Sequence, residues 1–91
     1  MEVAIQQYTF TAHAEKMLTE RDINREWVMR VVLKPGRTET RNDGTTHYLG
    51  AVSERDGRIL RVITIPERGS FKIITAFFDH RERGEDENYR R

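Results

Sequence analysis

Two Asp-Gly pairs constrain the fold of this chain more than any other sequence feature. Asp43-Gly44 and Asp56-Gly57 each lie between runs that are rich in β-branched and aromatic residues. Asp-Gly is a preferred pair in two-residue hairpin turns, because both residues tolerate the positive φ that these turns require. A longer loop, Pro66 to Ser70, separates the last two runs. The pattern predicts four antiparallel strands, over 37–41, 46–53, 58–65 and 71–78.

The residues before this region have helical signals instead. A first strand is predicted from Ile5 to Phe10, and Thr11 is a good N-cap for a helix from Ala12 to about Arg21. Asn24 can cap a second helix, which ends at Lys34-Pro35-Gly36. The order β-α-α-β-β-β-β predicts an α+β domain, with both helices on one face of a four- to five-stranded, mainly antiparallel sheet.

The length of the chain, 91 residues, is enough for one hydrophobic core. We expect a single domain over 1–83 and a flexible, charged tail over 84–91. The chain has no cysteine, which excludes a disulfide framework and a thiolate metal site. No apolar run reaches the length of a membrane span or of a signal peptide, so we expect a cytoplasmic protein with no membrane partner.

The positive charge of the chain is carried mainly by arginine. The net charge is only +1, but all of its 16 basic residues except Lys16, Lys34 and Lys72 are arginines. The planar guanidinium suits bidentate contact with phosphate, which favours a partner such as RNA. A genome with GC-rich codons would produce the same excess of arginine, and both explanations stay open.

The turns also predict which side chains share a face of the sheet. Two-residue turns at the Asp-Gly pairs and a five-residue loop at 66–70 place Arg61 opposite Val52 and Thr75, and Tyr48 opposite Glu39. Side chains alternate between the two faces of a sheet. The face predicted to lie under the helices carries Leu49, Ala51, Leu60, Val62, Ile74, Ala76 and Phe78. The open face is predicted to carry Arg37, Glu39, Arg41, Tyr48, Gly50, Arg61 and Thr75 among Ile59, Ile63, Ile73 and Phe77.

Arg61 is the predicted centre of the open face. Its apolar neighbours would pack against the stem of the side chain and hold the guanidinium in a defined place. Such an arginine could anchor a phosphate. It could equally form a simple ion pair with Glu39, and the sequence leaves both interpretations open.

His13 is the candidate base for chemistry on a phosphodiester. It lies in the first turn of the first helix, where the positive end of the helix dipole disfavours a charged imidazole ring. Cleavage of RNA by its own 2′-hydroxyl needs a base, an acid and cations, but no metal. The predicted catalytic residues are His13, Arg61 and Tyr48, the last as proton donor or stacking ring. The predicted substrate-binding residues are Arg21, Arg37, Arg41 and Thr75.

A shared histidine metal site is not expected. The predicted register places His47 beside Pro66 and His80 beside Asp56, at opposite ends of the strands and roughly 20 Å apart. Ligands of one ion must lie within a few ångströms of each other. We therefore predict no metal and no other cofactor.

The order of these residues resembles a known family. The run from His13 through Glu20-Arg21-Asp22-Ile23 to Val28, and the later stretches Val62-Ile63-Thr64 and Ile73-Ile74-Thr75, are similar to the domain of unknown function 4258 family. The resemblance covers nearly the whole chain. The residues that carry over are His13, Arg21, Thr64 and Thr75, while Asn24 stands where serine is commoner.

The resemblance implies a RelE-like fold, because this family is similar in predicted fold to the RelE, ParE and BrnT toxins. Those toxins are metal-independent ribonucleases or gyrase poisons that are encoded beside an antitoxin. The resemblance therefore implies RNA and an antitoxin protein as partners.

Three functions follow as hypotheses. The first is a toxin-like, metal-independent endoribonuclease acting through His13 and Arg61. The second is a non-catalytic RNA- or protein-binding module that uses the same arginine-rich face. The third is an inhibitor that blocks translation or gyrase by occupancy. The lack of a second convincing acid near His13 favours binding, and fold alone does not decide among the three.

Overall fold

A computed structural model describes residues 7–82 of the protein, and its element order confirms the predicted α+β class. The predicted strand residues Ile5 and Gln6 and the predicted tail, 84–91, lie outside the described residues. The elements are β1 (Gln7–Phe10), α1 (Ala12–Glu20), α2 (Arg25–Leu33), β2 (Arg37–Thr40), β3 (Thr46–Val52), β4 (Arg58–Glu67) and β5 (Ser70–Phe78), with a 3₁₀ turn at Ser53–Arg55.

The five strands form one mixed sheet in the order β1-β5-β4-β3-β2. The strands from β2 to β5 pair antiparallel with their neighbours along the chain, as their short connections require. β1 pairs in parallel with β5, but only over Ser70 to Ile73. The second half of β5 is therefore a sheet edge that β1 does not cover.

Both predicted helix caps are confirmed. The Thr11 side chain accepts a hydrogen bond from the Ala14 backbone N–H at 3.0 Å, and Asn24 Oδ1 accepts one from the Glu26 N–H at 2.8 Å. Each bond satisfies a backbone donor that has no partner within its own helix. Within residues 7–82, neither helix is long and apolar enough to cross a membrane.

Both helices pack on the same face of the sheet and enclose one core. The apolar residues of α1 and α2 contact the side chains that β3, β4 and β5 direct toward them. The buried core residues are Ala14, Leu18, Ile23, Val28, Val31, Val32, Val52, Leu60, Val62, Ile73 and Ala76. The predicted positions of Leu60, Val62, Ala76 and Phe78 under the helices are confirmed.

The predicted register between β3 and β4 is wrong by three residues. Val52 pairs with Arg58, and Arg61 lies opposite Leu49. Ser53–Arg55 forms a 3₁₀ turn, and Asp56 and Gly57 follow with φ of 59° and 77°. The Asp-Gly pair supplies the left-handed residues, as its composition indicates, but it closes a five-residue connection.

This odd shift turns β3 over relative to β4. Tyr48 and Gly50 therefore face the helices, while Leu49 and Ala51 lie on the face of Arg61, which reverses the prediction for all four. A Cβ atom built on Gly50 would be 3.2 Å from Val31 Cγ2 of α2. The absence of a side chain at residue 50 lets the second helix approach the sheet.

A second error, of one residue, lies between β2 and β3. Glu39 pairs with His47, whereas the predicted partner was Tyr48. Each odd shift exchanges the two faces of β3. Because both shifts are odd, their effects cancel between β2 and β4, whose side chains share faces as predicted. Arg37, Glu39 and Arg41 do share the open face with Arg61, and His47 takes the place that was predicted for Tyr48.

A bulge corrects the predicted faces of β5. Ile63 pairs with Thr75 and Thr64 pairs with Ile73, which leaves Ile74 as an extra residue. Ile73 is consequently buried under the helices instead of lying on the open face. Ile74 was predicted to lie under the helices, and this prediction is wrong, because Ile74 is not among the residues that form the core or pack against it. Arg61 lies opposite Phe77, an even shift of two residues that keeps Thr75 on the predicted open face.

The observed orientation of β3 leaves little room for a side chain at Gly50, because a Cβ atom there lies 3.2 Å from Val31 Cγ2. We expect Gly50→Val to lower the free energy of unfolding by about 1–3 kcal/mol, because the new methyl groups overlap Val31. Urea unfolding monitored by circular dichroism would measure the change. Val31→Ala should relieve part of the cost in the double variant. A Gly50→Val protein as stable as the parent would contradict this orientation, since the predicted register left Gly50 on the open face.

Candidate nucleic-acid interface

Arg61 lies on the open face but is buried, with 4% of its surface exposed. Its Nε donates to Asp79 Oδ2 at 2.8 Å, Nη1 donates to Glu39 Oε1 at 3.3 Å, and Nη2 donates to Glu82 Oε2 at 3.3 Å. The ion pair with Glu39 that the sequence left open is present, and Asp79 is a closer partner. A buried guanidinium needs such partners, because an unpaired buried charge costs several kcal/mol.

His47 completes the surroundings of this guanidinium. Its Nδ1 lies 2.8 Å from Arg61 Nη1, and since arginine can only donate, Nδ1 accepts and the ring proton is on Nε2. Nε2 lies 3.2 Å from Thr45 Oγ1, whose hydroxyl donates to Asp43 Oδ1 at 2.6 Å. Burial, and then the charges of Arg41 and Arg61, lower the pKa of His47. The ring is therefore neutral at pH 7.

The other arginines of this face are paired as well. Arg37 and Arg41 contact Glu39 at 2.8 and 2.7 Å, and Arg81 contacts Asp79 at 3.1 Å. Hydrogen bonds, first from Arg41, lower the pKa of Glu39 to about 2. Bonds from Arg81, then Arg61, hold the pKa of Asp79 well below its usual range. We call this set the Arg61 network: Arg37, Glu39, Arg41, His47, Arg61, Asp79, Arg81 and Glu82.

The three residues predicted to be catalytic do not meet. His13 is exposed on α1, across the sheet from Arg61. Tyr48 is half-buried against the core on the helix side. There burial, followed by the neighbouring Tyr48 phenol, raises the pKa of Tyr8. The reversal of β3 separates Tyr48 from Arg61, and the thickness of the sheet separates His13 from it.

Arg21 has a structural contact that the sequence did not predict. Its Nη1 donates to the Ala76 carbonyl at 2.9 Å. That carbonyl belongs to the half of β5 that β1 does not cover, so Arg21 satisfies an acceptor at the sheet edge. Its Cζ also lies 5.9 Å from the centre of the Phe77 ring. Thr75, which was predicted to bind substrate with Arg21, lies opposite Ile63 in mid-strand.

Arg21 forms one wall of a cavity of about 410 Å³, which we call the arginine groove. The groove lies where the end of α1, the β3–β4 connection and the end of β5 come together. Antiparallel pairing brings the last two to the same end of the sheet, as the pair Leu60 and Phe78 shows. The lining residues are Arg21, Arg55, Arg58, Phe77, Phe78 and His80.

Stacking on aromatic rings positions two of these guanidinium groups. Arg55 Cζ lies 5.1 Å from the ring centre of Phe78 and 5.5 Å from that of Trp27. Arg58 Cζ lies 5.0 Å from the centre of the same Phe78 ring. A guanidinium that lies over an aromatic ring keeps its N–H donors available at its edge. These donors can bind an anion in the groove.

The groove differs from the Arg61 network in charge compensation. Within residues 7–82, the side chains of Arg21, Arg55 and Arg58 form no ion pair with a carboxylate, and the same holds for Arg68. The remaining arginines of that range all have a carboxylate partner: Arg25, Arg30, Arg37, Arg41, Arg61 and Arg81. Three of the four arginines that lack a carboxylate partner within the described range therefore lie in the groove.

Sequence reasoning identified Arg21 but missed the other groove residues. Arg55 and Arg58 flank the Asp56-Gly57 turn, and the predicted register places His80 beside Asp56. Those two observations together would have indicated a basic cluster at this end of the sheet. The cluster was missed because the prediction favoured the centre of the open face, where a central arginine can be fully paired and unavailable to a ligand.

The chain belongs to the family described as Domain of unknown function (DUF4258), whose model matches residues 10–78. This confirms the family that the sequence resemblance indicated. The match includes Arg21, Arg55, Arg58, Phe77 and Phe78, and ends before His80. None of the curated proteins compared with this chain matches it. The part of the chain that the structure describes holds no group of three or more potential metal ligands.

The lowered pKa of His47 predicts a pH dependence of stability. The unfolded chain binds a proton at this ring near pH 6.5, whereas the folded protein resists it, so stability should fall as pH drops from 7.5 to 5.5. Because only one proton is bound at this ring on unfolding, the slope of the unfolding free energy against pH is at most about 1.4 kcal/mol per pH unit. Urea unfolding at both pH values would measure it. His47→Asn should reduce the slope, and an unchanged slope in this variant would contradict the assignment.

Proposed function

We propose that this protein binds RNA through the arginine groove. The observation that carries the proposal is the distribution of uncompensated charge. Among residues 7–82, Arg68 alone of the arginines without a carboxylate partner lies outside this cavity. Arginine donors at phosphate supply much of the affinity of proteins for nucleic acids.

The Arg61 network is a less suitable site for a phosphate than the arginine groove, because its arginines are already paired. Its guanidinium groups already donate to Glu39, Asp79 and Glu82. A phosphate on that face would have to replace these carboxylates and leave them near Arg61 without partners. In the groove, a phosphate gains donors without displacing an ion pair among the described residues.

The aromatic rings of the groove favour a single-stranded ligand. Phe77 is half-buried and lines the cavity, so part of its ring lies at the cavity surface, whereas the Phe78 ring already carries Arg55 and Arg58. Unpaired bases stack on such rings while arginines hold the backbone, a combination common in proteins that bind single strands. The toxin-like fold that the family resemblance implies supports RNA as the nucleic acid and an antitoxin as a further partner.

Removing the stacked arginines should weaken RNA binding. We expect Arg55→Ala/Arg58→Ala to raise the Kd for a labelled single-stranded RNA roughly tenfold or more, because each charged hydrogen bond contributes about 1.5–3 kcal/mol. The slope of log K against log salt should also become shallower by about 0.7 for each phosphate that the variant no longer binds. Fluorescence anisotropy would measure both quantities.

Arg68→Ala is the matched control for this experiment. Arg68 is exposed, has no carboxylate partner within residues 7–82, and lies in the turn at the opposite end of β4. Its removal lowers the net charge by one, half the change in the double variant, and should leave the Kd nearly unchanged. Equal effects of the groove and control variants, or no binding by the parent protein, would overturn the proposal.

Metal-independent RNA cleavage is a second candidate, which the position of His80 favours. His80 is exposed and lines the groove together with Arg21 and the two stacked arginines. An imidazole there could accept the proton of a 2′-hydroxyl, whose oxygen attacks the phosphorus while the guanidinium groups stabilise the charged phosphorane. The P–O5′ bond then breaks, and the leaving 5′-oxygen takes a proton from the imidazolium or from water. This arrangement replaces the predicted combination of His13 with Arg61, which the sheet separates.

Cleavage would be tested with an end-labelled RNA in the presence of a metal chelator. We expect products that end in a 2′,3′-cyclic phosphate, and a loss of rate of about 10²–10⁴-fold in His80→Ala, the usual contribution of a general base. His13→Ala and His47→Ala are the controls, and should cleave at the parental rate. Loss of cleavage in His13→Ala alone would return the role to the helix. No cleavage by the parent protein would leave binding as the function.

A further inference from the structure

We propose that the arginine groove binds the phosphomonoester end of an RNA chain. This inference rests on the proposed function and specifies which part of the RNA the groove recognises. An internal phosphodiester has one negative charge and two free oxygens. A terminal phosphate carries a charge near −2 and offers three strong acceptor oxygens.

The number and origin of the donors fit the terminal group. Arg21 comes from the end of α1, while Arg55 and Arg58 come from either side of the β3–β4 turn, and all three line one cavity. Arg21 is fixed by its bond to the Ala76 carbonyl, and the other two by stacking on Phe78. Three positioned guanidinium groups around one cavity match a dianion better than a monoanion.

The surroundings of the groove do not favour a chain that runs through it. Such a chain would need uncompensated cations on both sides to meet successive phosphates. Among the described residues, the nearby Arg61 network is already paired, and Arg68 is at the other end of the sheet.

The dimensions of the cavity agree with one terminal nucleotide. Its volume of about 410 Å³ lies in the lower part of the range for small-ligand pockets, roughly 300–1,000 Å³. The phosphate would lie among the guanidinium groups, and the terminal base against the exposed part of Phe77. The rest of the RNA would leave the groove toward solvent.

The test compares four single-stranded RNAs of one sequence, each with an internal fluorophore. One has hydroxyl groups at both ends, one has a 5′-phosphate, one has a 3′-phosphate, and one has both phosphates. We expect at least one terminal phosphate to lower the Kd roughly tenfold or more. The phosphorylated end that does so identifies the polarity of the bound strand.

Variants separate this inference from the proposed function. Arg58 is exposed, so Arg58→Ala should not disturb the core. This variant should reduce the gain in affinity from the terminal phosphate to about threefold or less, whereas Arg68→Ala should leave that gain intact. Equal Kd values for all four RNAs, with binding still weakened in Arg55→Ala/Arg58→Ala, would overturn this inference but leave RNA binding in place. Failure of every RNA to bind would overturn both.

Adenosine monophosphate should compete with the RNA and adenosine should not; equal competition by the two would also count against a phosphomonoester site.

Discussion

The buried ion pair between Arg61 and Asp79 is the interaction on which the open side of this protein depends. It joins the middle of β4 to the residue that follows β5, and Arg61 extends the connection to Glu39 on β2 and to His47 on β3. β2 has four residues and, within residues 7–82, pairs with β3 alone, so these side-chain contacts also help to hold the edge of the sheet. Burial of the guanidinium is tolerated because its partners replace the hydration that it loses.

The same compensation separates structural arginines from available ones. Around Arg61, guanidinium groups and carboxylates satisfy each other, which stabilises the sheet but leaves little for a ligand to gain. At the end of β5, aromatic rings and one backbone carbonyl position Arg21, Arg55 and Arg58, and none of the three has a carboxylate partner within residues 7–82. A positioned but uncompensated cation is what an anionic ligand requires, and this distinction identifies the groove as the candidate site.

The sequence predicted local features well. The element order, the Thr11 and Asn24 caps and the antiparallel pairing after α2 depend on neighbouring residues, and the structure confirms them. Register failed because it depends on loop length, and Ser53–Arg55 forms a 3₁₀ turn that lengthens the connection by three residues. Because the predicted registers on both sides of β3 were wrong by an odd number of residues, the prediction inverted β3 alone. It therefore placed Tyr48, instead of His47, beside Arg61. The ion pair of Arg61 with Glu39 could be proposed because the two errors cancelled across β2 and β4.

What the sequence by itself determined is the family, the α+β class, the helix ends and the arginine-rich character of the chain, since these follow from residue identity and short-range contacts. What only the tertiary structure decided is which arginines are paired and which are available. Arg61 and Asp79 are 18 residues apart, and Arg21 meets Ala76 across 55 residues. Local propensity carries no information on such long-range contacts, because they are set by strand register and by the position at which α1 ends against the edge of β5.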